Sequence, residues 1–211
     1  MTMKPLGSAI TISAQGKPFR TSISPTETGV VIPLNSEQKA KALARMVEVA
    51  NPNTVDRNLI SSLESITGFP VIELTRTTFP KDTVDIVTTG FDFTINDIET
   101  CDRCIMAVQS SLVPLPEKQL EEQLMIMSSL VAKPAGESSN DVAFRIRNMA
   151  MQLSKYPADI VLKAIENVVK ESTFWPSLSE YWRHIGWRMH KRNRLLESLT
   201  NKKIALMLEN Q

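Results

Sequence analysis

Glycine is scarce in this chain of 211 residues, with 7 copies, and cysteine is scarcer, with 2. The two cysteines, Cys101 and Cys104, sit too close together to form the disulfide framework of a small secreted domain, so a reducing compartment is expected. The glycines form neither a Gly-x-x-x-x-Gly-Lys-Ser/Thr nor a Gly-x-Gly-x-x-Gly run, which argues against phosphate-loop and dinucleotide chemistry. Long hydrophobic runs are missing as well. The longest, around Leu124 to Val131, is broken by Ser128 and Ser129 and falls far short of the roughly 20 apolar residues that span a bilayer. The amino terminus lacks the basic start and continuous apolar stretch of a secretory signal, so a cytoplasmic location without membrane contact is expected.

Ten methionines with many Leu, Ile and Ala favour helices. Residues 1–35 carry no helical period and read as an extended or disordered arm. A helix is expected from about Ser36, its cap, with Ala40, Leu43, Met46, Val47 and Ala50 inward and Asn51-Pro52-Asn53 at its end. A second helix, capped by Thr54, places Val55, Leu59, Ile60, Leu63 and Ile66 on one face, and Gly68 closes it. Between 69 and 93 the pattern shifts to Val71, Ile72 and Leu74, then Val84, Ile86 and Val87, among threonines and bounded by Pro70, Pro80 and Gly90. Two short strands are expected near 69–90, with an irregular crossover as the alternative.

Helical period returns from Thr94, with Ile95, Ile98, Cys101, Ile105, Val108 and Leu112 in a stripe, and again after Pro116 through Leu120, Leu124, Ile126, Met127, Leu130 and Val131. Helices over 140–154 and 157–171 follow, the first with Val142, Phe144, Ile146, Met149, Ala150 and Leu153 expected inward. The second of these carries Ile160, Val161, Ala164, Ile165, Val168 and Val169 on one side, a strong buried-face signal. A further helix starts after Pro176, where Ser177 and Glu180 have capping-box spacing, and Trp182, Ile185 and Met189 are its expected buried side. The chain is thus read as mainly α. An arm over 1–35 precedes a helical region over 36–132 with an irregular insert at 69–93, and Lys133 to Asn140 links that region to a C-terminal bundle over 139–211.

Net charge is only +1, but residues 181–211 hold 7 basic and 2 acidic side chains, against 17 and 21 in residues 1–180. Arg183, Arg188, Lys191, Arg192 and Arg194 follow one another beside Trp187. Basic side chains near an aromatic suit a phosphate backbone with stacked bases, and they suit an acidic or helical protein equally; a solvated helix face is the plainest reading. The six side chains Arg183, Trp187, Arg188, Lys191, Arg192 and Arg194 are therefore the expected partner or nucleic-acid contacts. The apolar residues Leu195, Leu196, Leu199, Ile204, Leu206, Met207 and Leu208 are expected to dock on the body or on another chain, the latter giving a homo-oligomer.

No catalytic, metal or cofactor site is expected. Cys101 and Cys104 belong to an apolar helix stripe, where free cysteine acts as a small core residue, and His184 and His190 point about 120° apart on a helix. Carboxylate pairs such as Glu121-Glu122 suit a solvated face.

The stretch from Tyr156 to Arg194 is the most distinctive. Tyr156-Pro157 opens one helix, and Phe174-Trp175-Pro176-Ser177 makes a corner before the next, with Glu180 returning a bond to Ser177. The corner's aromatics, with Tyr181, Trp182 and Trp187, are expected to be chiefly core. These residues, after a helix of Arg and aliphatic side chains and Leu153-Ser154-Lys155, and with Ala164 between, resemble the small helical domain of bacteriophage proteins that load or inhibit the replicative helicase. The resemblance covers about residues 139–190. It implies a non-enzymatic adaptor in phage or prophage DNA replication, working in the bacterial host cytoplasm and binding the helicase, another replication protein or DNA. A structural or assembly protein of a phage particle and a small DNA-binding regulator are the alternatives.

Overall fold

The computed structural model describes residues 51–78, 85–132 and 136–209, with isolated positions between 35 and 41. Residues 1–34, most of the helix expected from Ser36, Pro80 and Val84 lie outside the described residues. At the described positions, the Gln38 N–H donates to Asn35 Oδ1 at 2.8 Å and the Asn35 N–H donates to Gln38 Oε1 at 2.9 Å, while Ser36, the expected cap, lies outside the described residues.

The described residues form six helices and one antiparallel hairpin, in the order α1 (Pro52–Thr67), β1 (Ile72–Thr78), β2 (Asp85–Asp92), α2 (Ile98–Ser110), α3 (Glu117–Ser128), α4 (Ser139–Leu153), α5 (Ala158–Glu171) and α6 (Leu178–Glu209). The mainly helical expectation is met. So is that of two strands, which pair from Ile72 with Asp92 to Thr78 with Asp85 across an irregularity at Leu74/Thr75. α1 starts earlier than Thr54 implies. The Asn51 side chain accepts from the Asn53 N–H at 3.1 Å, and Pro52, read as the end of the preceding helix, opens this one, where its missing N–H is no loss. Gly68 closes α1 at φ 73°, in the left-handed region that favours glycine.

Two apolar clusters form the interior. One gathers Leu120, Leu124 and Met127 of α3, Ile146, Met149 and Leu153 of α4, Val161, Ala164 and Val168 of α5, and Tyr181 and Ile185 from the start of α6. The other gathers Leu59 and Leu63 of α1, Phe91 of β2, Cys101, Cys104, Ile105 and Val108 of α2, and Leu195, Leu199 and Leu206 from the far half of α6. The segment between α3 and α4, expected to separate one region from another, joins two helices of the first cluster. Both clusters draw buried residues from α6, whose 32 residues reach about 48 Å at 1.5 Å per residue.

Local capping fixes where these helices begin. α4 opens with a full capping box: the Ser138 hydroxyl oxygen accepts from the Asp141 N–H at 3.3 Å, and Asp141 Oδ2 accepts from the Ser138 N–H at 3.0 Å. At α6 the carboxylate half of the expected box is present, with Glu180 Oε2 accepting from the Ser177 N–H at 2.6 Å and from its hydroxyl at 2.8 Å. The corner itself is laced to the end of α3, since the Ala132 N–H donates to Thr173 O at 2.9 Å and the Trp175 N–H to Ala132 O at 3.2 Å.

The two Ser177 donors, first its backbone N–H and then its hydroxyl, hold Glu180 below its ordinary value of 4.5. A carboxylate depressed in the folded state adds stability above the unfolded value, and that stability is lost as pH falls through the folded one. The melting temperature of the native chain is therefore expected to exceed that of Glu180→Gln at neutral pH, and the gap to close on acidification below 4.5. Thermal melts of both proteins across that range check it; a gap independent of pH contradicts it.

Candidate functional site

The buried side of α6 runs Tyr181, Ile185, Arg188, Arg192, Leu195, Leu199, Lys203 and Leu206, in steps of three and four in the manner of a helix seam. This corrects the expected buried side. Ile185 is interior, but Trp182 is 47% exposed, and the seam passes through Arg188 and Arg192, both expected in solvent.

Arg192 is the largest fully buried side chain among the described residues. Its Nε donates to Asp56 Oδ1 on α1 at 2.7 Å. Its Nη1 donates to the Ser111 carbonyl at the end of α2 at 2.6 Å and to Asp159 Oδ1 on α5 at 2.9 Å, and its Nη2 donates to Asp159 Oδ2 at 2.5 Å. Asp159 is itself wholly buried, so the fork-to-fork pair is closed to water on both sides. Burial works against the guanidinium, but the Asp159 bonds and the two carboxylate charges outweigh it and raise its pKa. Burial likewise lifts Asp56 above its ordinary value, against the pull of Arg192. A group so enclosed binds no phosphate and no partner, and Arg192 leaves the set of expected contacts.

The other expected contacts divide. Arg188 is buried; its Nη1 donates to His184 O at 3.0 Å, and its guanidinium lies 4.2 Å from the Trp187 ring centre. Lys191 pairs with Glu73 of β1 at 2.8 Å, Arg183 with Glu171 at 2.7 Å and Arg194 with Glu197 at 2.7 Å. Trp187 remains 56% exposed. Further along, Lys203 pairs with Asp102 at 2.7 Å. Of the terminal apolar residues, Leu195, Leu199 and Leu206 enter the second cluster, where α6 packs on α2 and β2, and Met207 and Leu208 are exposed.

At the corner, Pro157 and Pro176 are buried, and Tyr156 and Trp175 are partly buried against the first cluster. Phe174, expected with the core, turns outward and is 69% exposed, and Phe144, Ile126 and Leu130, expected on the apolar sides of their helices, are likewise exposed. The Arg145 guanidinium lies 5.4 Å from the Trp175 ring centre. Cys101 and Cys104 are interior, and burial pushes both thiols up to about 11; the Cys101 thiol donates to Leu199 O at 3.3 Å. Among the described residues no group of three His, Cys, Asp or Glu side chains is placed to hold a metal ion, and no helix is long and apolar enough to cross a membrane.

Three residues that sequence reading passed over shape this region. Asp159 sits in the first turn of α5, where an acidic side chain reads as dipole complement, and Asp56 and Arg57 sit in the first turns of α1. Asn53, Asp56, Arg57 and Ile60 of α1, with Trp187 and Lys191 of α6, line an open cleft of about 250 Å³. No family model, curated protein or solved structure matches the chain.

Removing one member of a buried ion pair leaves the other uncompensated and costs about 3–5 kcal/mol, whereas an exposed pair contributes about 0–1 kcal/mol. Asp159→Asn is therefore expected to lower unfolding stability by about 3–5 kcal/mol, and Arg183→Ala by no more than about 1 kcal/mol. Urea unfolding of the two variants checks this. Equal, small effects would contradict it.

Proposed function

We propose that this chain is a non-enzymatic adaptor that works by binding a protein. The partner class is the one suggested by the resemblance of residues 139–190: a replication protein such as the replicative helicase. The observation that carries the reading is the fate of charge on α6. Five of the seven basic side chains between 181 and 211, namely Arg183, Lys191, Arg192, Arg194 and Lys203, end on carboxylates of the same chain. Nucleic acid binds chiefly by replacing counterions with free cations, and here the counterions are fixed side chains that a phosphate backbone must displace.

Apolar bulk is left in water instead. Phe144, Phe174, Trp182 and Trp187 are all exposed, and Trp187 is steadied by the guanidinium of Arg188. Aromatic side chains held in one orientation are the groups that dominate protein interfaces, because little freedom is lost when a partner covers them.

Titrating labelled single-stranded and duplex DNA with the full chain, beside capture of a purified bacterial replicative helicase, tests the reading. DNA is expected to bind no more tightly than the nonspecific level of about 10⁻⁴–10⁻⁶ M at physiological salt, and the helicase to be retained. Submicromolar DNA binding that falls about a thousandfold between about 50 and 200 mM salt would contradict it.

A further inference from the structure

We infer that the cleft between the first turns of α1 and the middle of α6 receives an acidic side chain of the protein partner, with an adjoining apolar side chain packed on Trp187. The inference rests on the adaptor reading and gives it a place. At about 250 Å³ the cleft suits one or two side chains better than a metabolite, for which pockets of about 300–1,000 Å³ are usual.

Its charges decide the occupant. Asp56 is bound to Arg192 at 2.7 Å, and Lys191 to Glu73 at 2.8 Å, so each of these lining groups is already matched. Arg57 is exposed and has no ion-pair or hydrogen-bond partner among the described residues. Among the described residues the cleft thus carries one uncompensated cation, with a planar fork that fits a carboxylate at two points. Beside it, Trp187 and Ile60 supply apolar surface. Arg188 lies over the Trp187 ring at 4.2 Å and holds the indole where a ligand meets it. A nucleic-acid strand needs a row of free cations, and this cleft offers one. A carboxylate next to an aliphatic or aromatic group, as in an acidic peptide segment, satisfies both features together.

Selection from a displayed random-peptide library against the full chain tests this. The recovered peptides are then titrated against the native protein, Arg57→Glu, Trp187→Ala and Phe174→Ala, with a labelled oligonucleotide alongside. Peptides with Asp or Glu close to an apolar residue are expected, with binding weakened about tenfold or more by Arg57→Glu and by Trp187→Ala, and unchanged by Phe174→Ala. Arg57→Glu is expected to fold, because Arg57 is exposed and has no partner to lose among the described residues, and Glu is a good helix former; a thermal melt verifies it. A selection that yields no peptide whose binding depends on Arg57 overturns the proposal. If the recovered peptides bind the native chain and Arg57→Glu alike, the docking point is elsewhere and the adaptor reading stands. If only the oligonucleotide binds, both fall.

Discussion

A guanidinium without water around it holds this fold to one arrangement. Arg192 must find acceptors for its donors inside the protein, and it finds them on α1, at the end of α2 and on α5. Each acceptor is rigidly placed by its own helix. Shifting any one of the helices by an ångström or two would leave a buried charge partly unmatched, at a cost far above that of sliding one apolar surface over another. Replacing the set with well-packed apolar residues is often neutral or stabilising in other proteins, so its value lies less in net stability than in selecting one geometry. In this chain that geometry is the meeting of two apolar clusters, and Arg192 stands on α6 between the residues that enter each.

The same arrangement explains how a helix with so many cations presents so little free charge. Asp56, Glu73, Asp102 and Asp159 come from four different elements and converge on the side of α6 that faces the body. A net charge of +5 on the terminal segment is thereby folded into a nearly neutral interior face. Among the groups α6 leaves exposed are two large aromatics, Trp182 and Trp187. The Asp56–Arg192 pair ties α1 to α6 beside the cleft that holds Trp187, so the group that orders the fold also borders the proposed docking point.

Much of the architecture was legible in residue pattern. The Ser177–Glu180 spacing, most of the apolar stripes of α2 to α5, the Gly68 stop and the change of period at the hairpin each carry a local cause, and each led to the element observed, whereas the cap expected at Thr54 lies at Asn51. The phase of α6 did not follow from apolar residues alone. Its seam reads correctly only when Tyr181 and Ile185 are extended by steps of three and four to Leu195 and Leu199, which forces Arg188 and Arg192 indoors. Hydrophobicity counts Arg192 as surface, because its counterions lie 33 and 136 residues away and meet it only in the folded chain. Arg57 escapes notice for the converse reason, since a lone cation on an exposed helix face carries no pattern. Phe174 was misplaced because a corner's backbone can be packed while one of its side chains turns outward.

The claim on which this account depends is that Arg192 is an interior ion. Nitrogen-edited NMR of the arginine side chains reads it directly, through the rate at which each Nε proton exchanges with solvent. One Nε–H is expected to exchange far more slowly than the rest, to vanish in Arg192→Lys, and to keep its shift when DNA is added. Rapid exchange of every arginine Nε–H, or a shift of the Arg192 signal on adding DNA, would contradict the account.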